Sequence, residues 1–142
     1  MNYTRNFPMA CISIALRRNF EPILGVVYDF NRKEIYSTVV SKDAKLNNDI
    51  ICVSKTDTIQ QSVLATGFPV KRDYNAESLE KFIGHVQQFK KIRMIGSVAL
   101  SLAYVASGVF DAYYEEDIMI WDVAAGLALV KSAGGEIYIK PG

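Results

Sequence analysis

Histidine is nearly missing from this sequence: His85 stands alone among 142 residues. That scarcity excludes a histidine-rich metal site and a Ser-His-Asp triad built on a second histidine. His85 itself is expected on a mostly polar helix face. Cysteine is almost as scarce. Cys11 and Cys52 lie in separate apolar segments, with neither a CxxC pair nor a metal-ligand spacing, and are expected as two buried thiols. An excess of charge is missing too. Lys plus Arg number 16 against 15 for Asp plus Glu. That balance points to neither nucleic acid nor an anionic membrane as partner. No uncharged run is long enough to span a bilayer. The stretch from Ile95 to Phe110 contains three serines and two glycines and falls short of the ~20 apolar residues a span needs. The first residues lack the charged-then-apolar order of a signal peptide, so a cytoplasmic location is expected. No repeat or low-complexity segment is visible.

What is present is a dense apolar content, half of all residues, in a length typical of one domain. Met9 to Leu16 alternates and is rich in β formers, and Arg17-Arg18-Asn19 breaks it. Pro22 is expected in the turn. Ile23 to Tyr28 and Glu34 to Val40 read as two further strands, so the first part predicts an antiparallel meander. A loop over Ser41 to Asn48 and a short strand from Asp49 to Val53 follow. The pattern then changes. Ser62 to Thr66 reads as a strand. Asn75 is a plausible N-cap for a helix whose apolar positions are Leu79, Phe82, Ile83, Val86 and Phe89. Ile92 to Ile95 reads as a strand, and a helix opens at Ser97 and Val98 and closes at Gly108. Val109 to Glu115 reads as a strand, and a last helix follows Trp121 and Asp122. A final strand is expected over Glu136 to Lys140. The fold class is therefore α+β grading into α/β, with residues 1–55 in an antiparallel part and 56–142 in an alternating part. A bare meander cannot cover its second face and must pack on something.

Most of the chemistry sits at element joints. Asp122, at a helix start between two apolar runs, is either an N-cap or an ionised ligand for a hard cation. Trp121 is expected as a core anchor. Glu115, Glu116 and Asp117 form either a solvated turn or a site where one carboxylate accepts hydrogen bonds from substrate hydroxyls. Gly96-Ser97 before a helix is ordinary capping or an anion contact.

These residues carry a family resemblance. The run Trp121-Asp122-Val123-Ala124-Ala125-Gly126, with Ala133-Gly134-Gly135 after it, resembles a signature of the inositol monophosphatase family of Mg²⁺-dependent phosphatases. Gly96-Ser97-Val98-Ala99-Leu100, Tyr104-Val105-Ala106-Ser107-Gly108 and Asp111-Ala112-Tyr113-Tyr114-Glu115 follow the family pattern in order. So do Leu64-Ala65-Thr66-Gly67-Phe68-Pro69 and Gly25-Val26-Val27-Tyr28-Asp29. Asn2-Tyr3, Phe7-Pro8 and Ser13-Ile14-Ala15-Leu16 are similar to the segment after the family's first signature. The resemblance implies a layered αβαβα fold of which this chain builds a part. It implies that Asp122 binds a catalytic Mg²⁺ and touches substrate, that Glu115 accepts hydrogen bonds from inositol-type hydroxyls, and that Gly96, Ser97 and Val98 line the pocket. Val98 stands where the family usually has Ala.

The family's Asp-Pro-x-Asp-Gly-Thr signature, its upstream metal-binding Glu and its water-activating Thr have no counterpart here. The other catalytic groups would lie before Met1. The chain also enters its first strand almost at once and stops at Lys140-Pro141-Gly142, so a chain cut at both ends is expected. The expected parent reaction is Mg²⁺-dependent hydrolysis of a small phosphate monoester by a homo-oligomer, with the chain alone inactive. A catalytically dead binding or scaffolding module, a nucleotide 3′-phosphatase and a fructose bisphosphatase are the alternatives.

Overall fold

The computed structural model describes residues 1–19, 21–68 and 74–140. Strands β1 (Ile12–Arg18), β2 (Glu21–Asp29), β3 (Glu34–Val39), β4 (Lys45–Leu46) and β5 (Asp49–Ile50) form one antiparallel sheet in sequential order. The second sheet is parallel. It contains β6 (Val63–Thr66) in the middle, β7 (Lys91–Arg93) on one side and β8 (Ala112–Tyr114) on the other. Three helices connect and cover these strands: α1 (Ala76–Val86), α2 (Val98–Ala106) and α3 (Ile120–Ser132). The α+β class expected from the sequence is therefore the class observed. A stretch without regular secondary structure, 51–58, connects the two sheets.

The layers follow from which side chains are small. Gly25, Val27 and Asp29 of β2 are on the face turned to α3. A Cβ on Gly25 would stand 2.9 Å from Ala128 Cβ, so only glycine lets α3 lie this close to the sheet. Gly126 does the same between the helices, since a Cβ there would land on Leu102 Cβ. α2 is buried from Ala99 to Ala106, on every side. A helix enclosed this way has no polar stripe, which is why its sequence reads as one apolar run. α3 contributes Val123, Ala125, Leu129 and Val130 to the same core. On the far side of the parallel sheet, α1 packs Phe82 and Val86 on Leu64. Asn75 caps that helix, accepting a bond from the Ser78 N–H at 2.9 Å. The order of layers is antiparallel sheet, α2 with α3, parallel sheet, α1.

Alternation turns Ile12, Ile14 and Leu16 of β1 away from α3, beside their β2 partners Tyr28, Val26 and Leu24. This outer face is uncovered among the described residues. It is the side on which the five-layered pattern would have one more layer.

Several expectations are corrected. Arg17 and Arg18 continue β1 instead of breaking it, across a bulge at Leu16/Arg17. Pro22 belongs to β2, before the pairing with β3 begins at Leu24, where a missing N–H leaves no β3 bond unmade. The segment expected as loop over 41–48 contains β4. The expected strand from Val109 shrinks to β8 because the N–H groups of Val109 and Phe110 both close onto Tyr104 O at the end of α2. Glu136 to Lys140 forms no strand, and Tyr138 and Ile139 stay exposed because no described strand lies beside them. Trp121 is not a core anchor. It is 71% exposed, because the buried face of α3 starts only at Val123. His85 is not on a polar face but packs its ring 4.4 Å from that of Tyr114. Cys11 is half-buried and Cys52 exposed, so the pair of buried thiols is not found; both are free. Pro69 in the quoted motif and the expected Lys140-Pro141-Gly142 turn fall in part outside the described residues.

Candidate functional site at the carboxyl edge of the parallel sheet

The three parallel strands all end at one edge. β6 runs into Gly67, β8 into Glu115, and β7 leads through Met94 and Ile95 to Gly96. The register aligns Thr66 with Tyr114 and Ala65 with Arg93, so these exits are neighbours. The order β7-β6-β8 means that successive connections leave β6 in opposite directions. In open parallel sheets ligands bind beside strand ends where the connections diverge, which here is between β6 and β8.

Glu115 follows β8 at this edge. Tyr113 Oη donates to its Oε2 at 2.5 Å. Its carboxylate lies against Gly67, where a Cβ would be 2.7 Å from Oε2, so a larger residue there would push the carboxylate away. Burial first, then the hydrogen bond to Glu115 and its charge, and last the charge of Asp122, hold the Tyr113 phenol well above its ordinary range. The phenol stays a donor at neutral pH.

Asp122 is in the first turn of α3, not at its cap; Met119 is the N-cap and supplies no side-chain bond. The residue is exposed, and its N–H donates to Met119 O at 3.0 Å. Its carboxylate lies at the positive end of the helix dipole and makes no hydrogen bond or ion pair among the described residues. Glu116 bonds to Tyr114 Oη, and Asp117 takes positive φ in the following turn.

At the third exit, Gly96 has φ +66°, a conformation that favours glycine. Ser97 is the N-cap of α2, but its hydroxyl makes no cap bond and faces Cys11 Sγ at 3.8 Å. Burial pushes the Cys11 thiol up against the opposing Ser97 bond, and the Asp29 charge pushes the same way as burial. Asn2 ties the turn to the chain start, its Nδ2 donating to Met9 O at 2.8 Å, Ile95 O at 3.0 Å and Gly96 O at 3.1 Å. Val98 begins the helix. An open concavity of about 390 Å³ lies beside Cys11, lined by Tyr3, Ala10 and Phe30.

A Mg²⁺ site is not complete in these residues. Among the described residues no three His, Cys, Asp or Glu side chains gather where they could hold a metal. Mg²⁺ demands near-octahedral oxygen ligation, and a lone exposed carboxylate does not meet that demand. No step through a metal follows from this chain alone.

Sequence reasoning gave no site role to Asn2, Gly67 or Tyr113. Gly67 carried a signal, a glycine directly after a strand. Tyr113 and Asn2 carried none beyond their places in the motifs.

The model of the inositol monophosphatase family matches residues 1–139. The chain belongs to the inositol monophosphatase family. It is 42% identical over 137 residues to Nus factor SuhB of Xylella fastidiosa, covering 96% of this chain and 50% of that protein. It is 36% identical to the inositol-1-monophosphatase of a Synechocystis species, covering 94% of this chain and 47% of the relative. The solved inositol monophosphatase from Anabaena superposes with a TM-score of 0.89 at 37% identity, covering 95% of this chain and 56% of that one. The family chain thus spans about half the length of the curated relatives it matches.

Proposed function

We propose that this chain supplies the substrate-recognition side of a phosphate monoesterase site, for inositol monophosphate or a similar sugar phosphate. The observation that carries the reading is that the β7 exit, the β8 exit and the start of α3, all placed around the end of β6, each carry a polar feature suited to such a ligand. The first-turn N–H groups of α2 suit an anion, and Ser97 leaves them without a side-chain cap. Glu115, held by Tyr113, accepts from sugar hydroxyls. Asp122, at the start of α3, offers a carboxylate to a Mg²⁺ whose remaining ligands lie outside the residues described. Binding here positions the ester; the chain alone does not hydrolyse it, and a cytoplasmic location suits such a substrate. The relatives named Nus factor favour one second reading, a binding module without catalysis.

The test is an amide NMR titration with inositol 1-phosphate. Shifts are expected at Gly96, Ser97, Val98 and Glu115, with shifts at Asp122 requiring Mg²⁺. Shifts confined to residues away from the parallel-sheet edge, or none at tens of millimolar ligand, would refute the reading.

A further inference from the structure

Asn2 does not use its side chain where its position would suggest. It stands before the short 3₁₀ turn Tyr3–Arg5, a place where asparagine ordinarily caps the turn, yet it makes no such bond. Its amide nitrogen reaches instead to Ile95 O at 3.0 Å and Gly96 O at 3.1 Å, 93 and 94 residues further on, and to Met9 O at 2.8 Å. All three neighbours are carbonyls, which only accept, so the nitrogen of the amide and not its oxygen must face them. The backbone of Asn2 is fixed as well: its carbonyl accepts the Arg5 N–H at 3.1 Å and the Phe7 N–H at 3.0 Å.

Those bonds decide where the donors of the Gly96 turn point. In a trans peptide the C=O and the following N–H share a plane and point in opposite directions. Ile95 O shares its plane with the Gly96 N–H, and Gly96 O with the Ser97 N–H. Drawing both oxygens to one nitrogen turns both N–H groups to the side away from Asn2. Two successive planes align in this way when the residue between them takes a helical conformation of either hand, and Gly96, at φ +66°, is in the left-handed region. Neither N–H donates to any described residue, and Gly96 is exposed. A Cβ on Gly96 would stand 3.2 Å from Asn2 Nδ2, so a larger residue would crowd the clasp.

We propose that Asn2 is a positioning residue for this site: by holding the Ile95 and Gly96 carbonyls it aims the Gly96 and Ser97 N–H groups at an acceptor oxygen of the bound sugar phosphate. This role rests on the sugar-phosphate reading of the parallel-sheet edge. Asn2 touches no ligand and acts through the turn. An aspartate of the same shape lacks the donor and would set a carboxylate against three carbonyl oxygens, so Asn2→Asp should release the turn. Once released, the two peptide planes rotate independently, and binding must first order them.

The test is an amide NMR titration of the 142-residue chain with inositol 1-phosphate, run on the parent, Asn2→Asp and Asn2→Ala. In the parent, the Asn2 side-chain amide protons should exchange with water more slowly than those of exposed asparagines. They should shift together with the Gly96 and Ser97 N–H signals as ligand is added. Both variants should bind about 10-fold more weakly, the loss of roughly one well-aimed hydrogen bond to a charged acceptor. At saturation their ligand-induced shifts at Gly96 and Ser97 should shrink while those at Glu115 persist. Asp111→Asn weakens the fold at the opposite end of the parallel strands, where Asp111 holds the Val63 N–H, and should leave the affinity unchanged. A parent without shifts at Gly96, Ser97 and Glu115 would overturn the sugar-phosphate reading and this role with it. A parent that binds, beside Asn2 variants that bind as tightly or an Asp111→Asn that loses as much, would overturn the Asn2 role alone. Where neither Asn2 variant folds, the parent's own Asn2 signals decide: free exchange, or no shift with ligand, would overturn the role.

Discussion

Gly126 and Gly84 should respond with opposite signs to the same substitution. Both are in helices, and replacing a helix-interior glycine by alanine is worth about 1 kcal/mol from backbone entropy alone. At Gly84, in α1, a new Cβ meets nothing within 4 Å, so that gain should appear undiminished. At Gly126, in α3, the new Cβ would fall on Leu102 Cβ and within 3.0 Å of its Cγ. Leu102 Cβ is fixed to the backbone of α2 and cannot swing aside, so the helices must separate. Overpacking of that kind costs typically 1–3 kcal/mol and occasionally more. Both helices also contact the antiparallel sheet, and Gly25 leaves α3 no slack there. The separation therefore loosens contacts on two sides, and the cost should sit near the top of that range. Gly126→Ala should destabilise by a net of roughly 1–2 kcal/mol once the helix gain is subtracted. In a chain of this length that is a fall in Tm of several degrees. Urea unfolding followed by circular dichroism reads both variants against the parent. Equal midpoints for the two, or a higher midpoint for Gly126→Ala, would show that the helices are not in the close contact described.

Asp111 joins the two halves of the fold: its carboxylate accepts Ser54 Oγ at 2.5 Å and the Val63 N–H at 2.6 Å. Burial acts to raise its pKa, but the bonds from Ser54, Val63 and Thr56 outweigh it and the pKa lies below the ordinary value. A depressed carboxyl contributes stability above its unfolded pKa of about 3.9 and loses it as pH falls through the folded value. Stability should thus decline below about pH 4, and Asp111→Asn should flatten that part of the profile while costing about 1.5–3 kcal/mol at neutral pH. An unchanged acid limb in the variant would rule Asp111 out as its source. Asn75→Ala removes the acceptor for Ser78 N–H and should cost about 1 kcal/mol, read as a lower urea midpoint; no change would mean that water replaces the cap.

The parts of the fold that were legible from sequence are those fixed by local pattern. Alternation places β1 to β3, and Asn75 before an apolar stripe places α1. The errors arise where distant residues decide. Residues 136–140 have strand composition but no described strand to pair with. Trp121 has a core residue's chemistry but precedes the buried turn of α3. Its neighbour Asp122 is a first-turn residue because the helix begins two residues earlier, at Ile120. Asp29 was read only as part of a motif. It is fully buried, takes the N–H groups of Asn31 and Arg32 at 3.0 and 3.1 Å, and receives Tyr104 Oη at 3.3 Å. An Asp two residues before Asn31 in a turn is a visible sign of such a bond, but the Tyr104 partner comes from another layer. The candidate site was readable in kind, as features at strand exits and helix starts. Its neighbourhood was not, because the parallel register alone brings Gly67 beside Glu115.

Glu115, Asp122 and the Gly96–Val98 turn are proposed to serve one phosphate ester. The most direct test is to graft residues 1–139 into the Synechocystis inositol-1-monophosphatase in place of its homologous segment and assay inositol 1-phosphate hydrolysis with Mg²⁺. The hybrid is expected to be active, with Glu115→Gln raising KM and leaving kcat little changed. Asp122→Asn should lower kcat/KM by about 100-fold or more, as loss of one member of a catalytic unit does. A hybrid that folds, turns over and is indifferent to Asp122→Asn would contradict it.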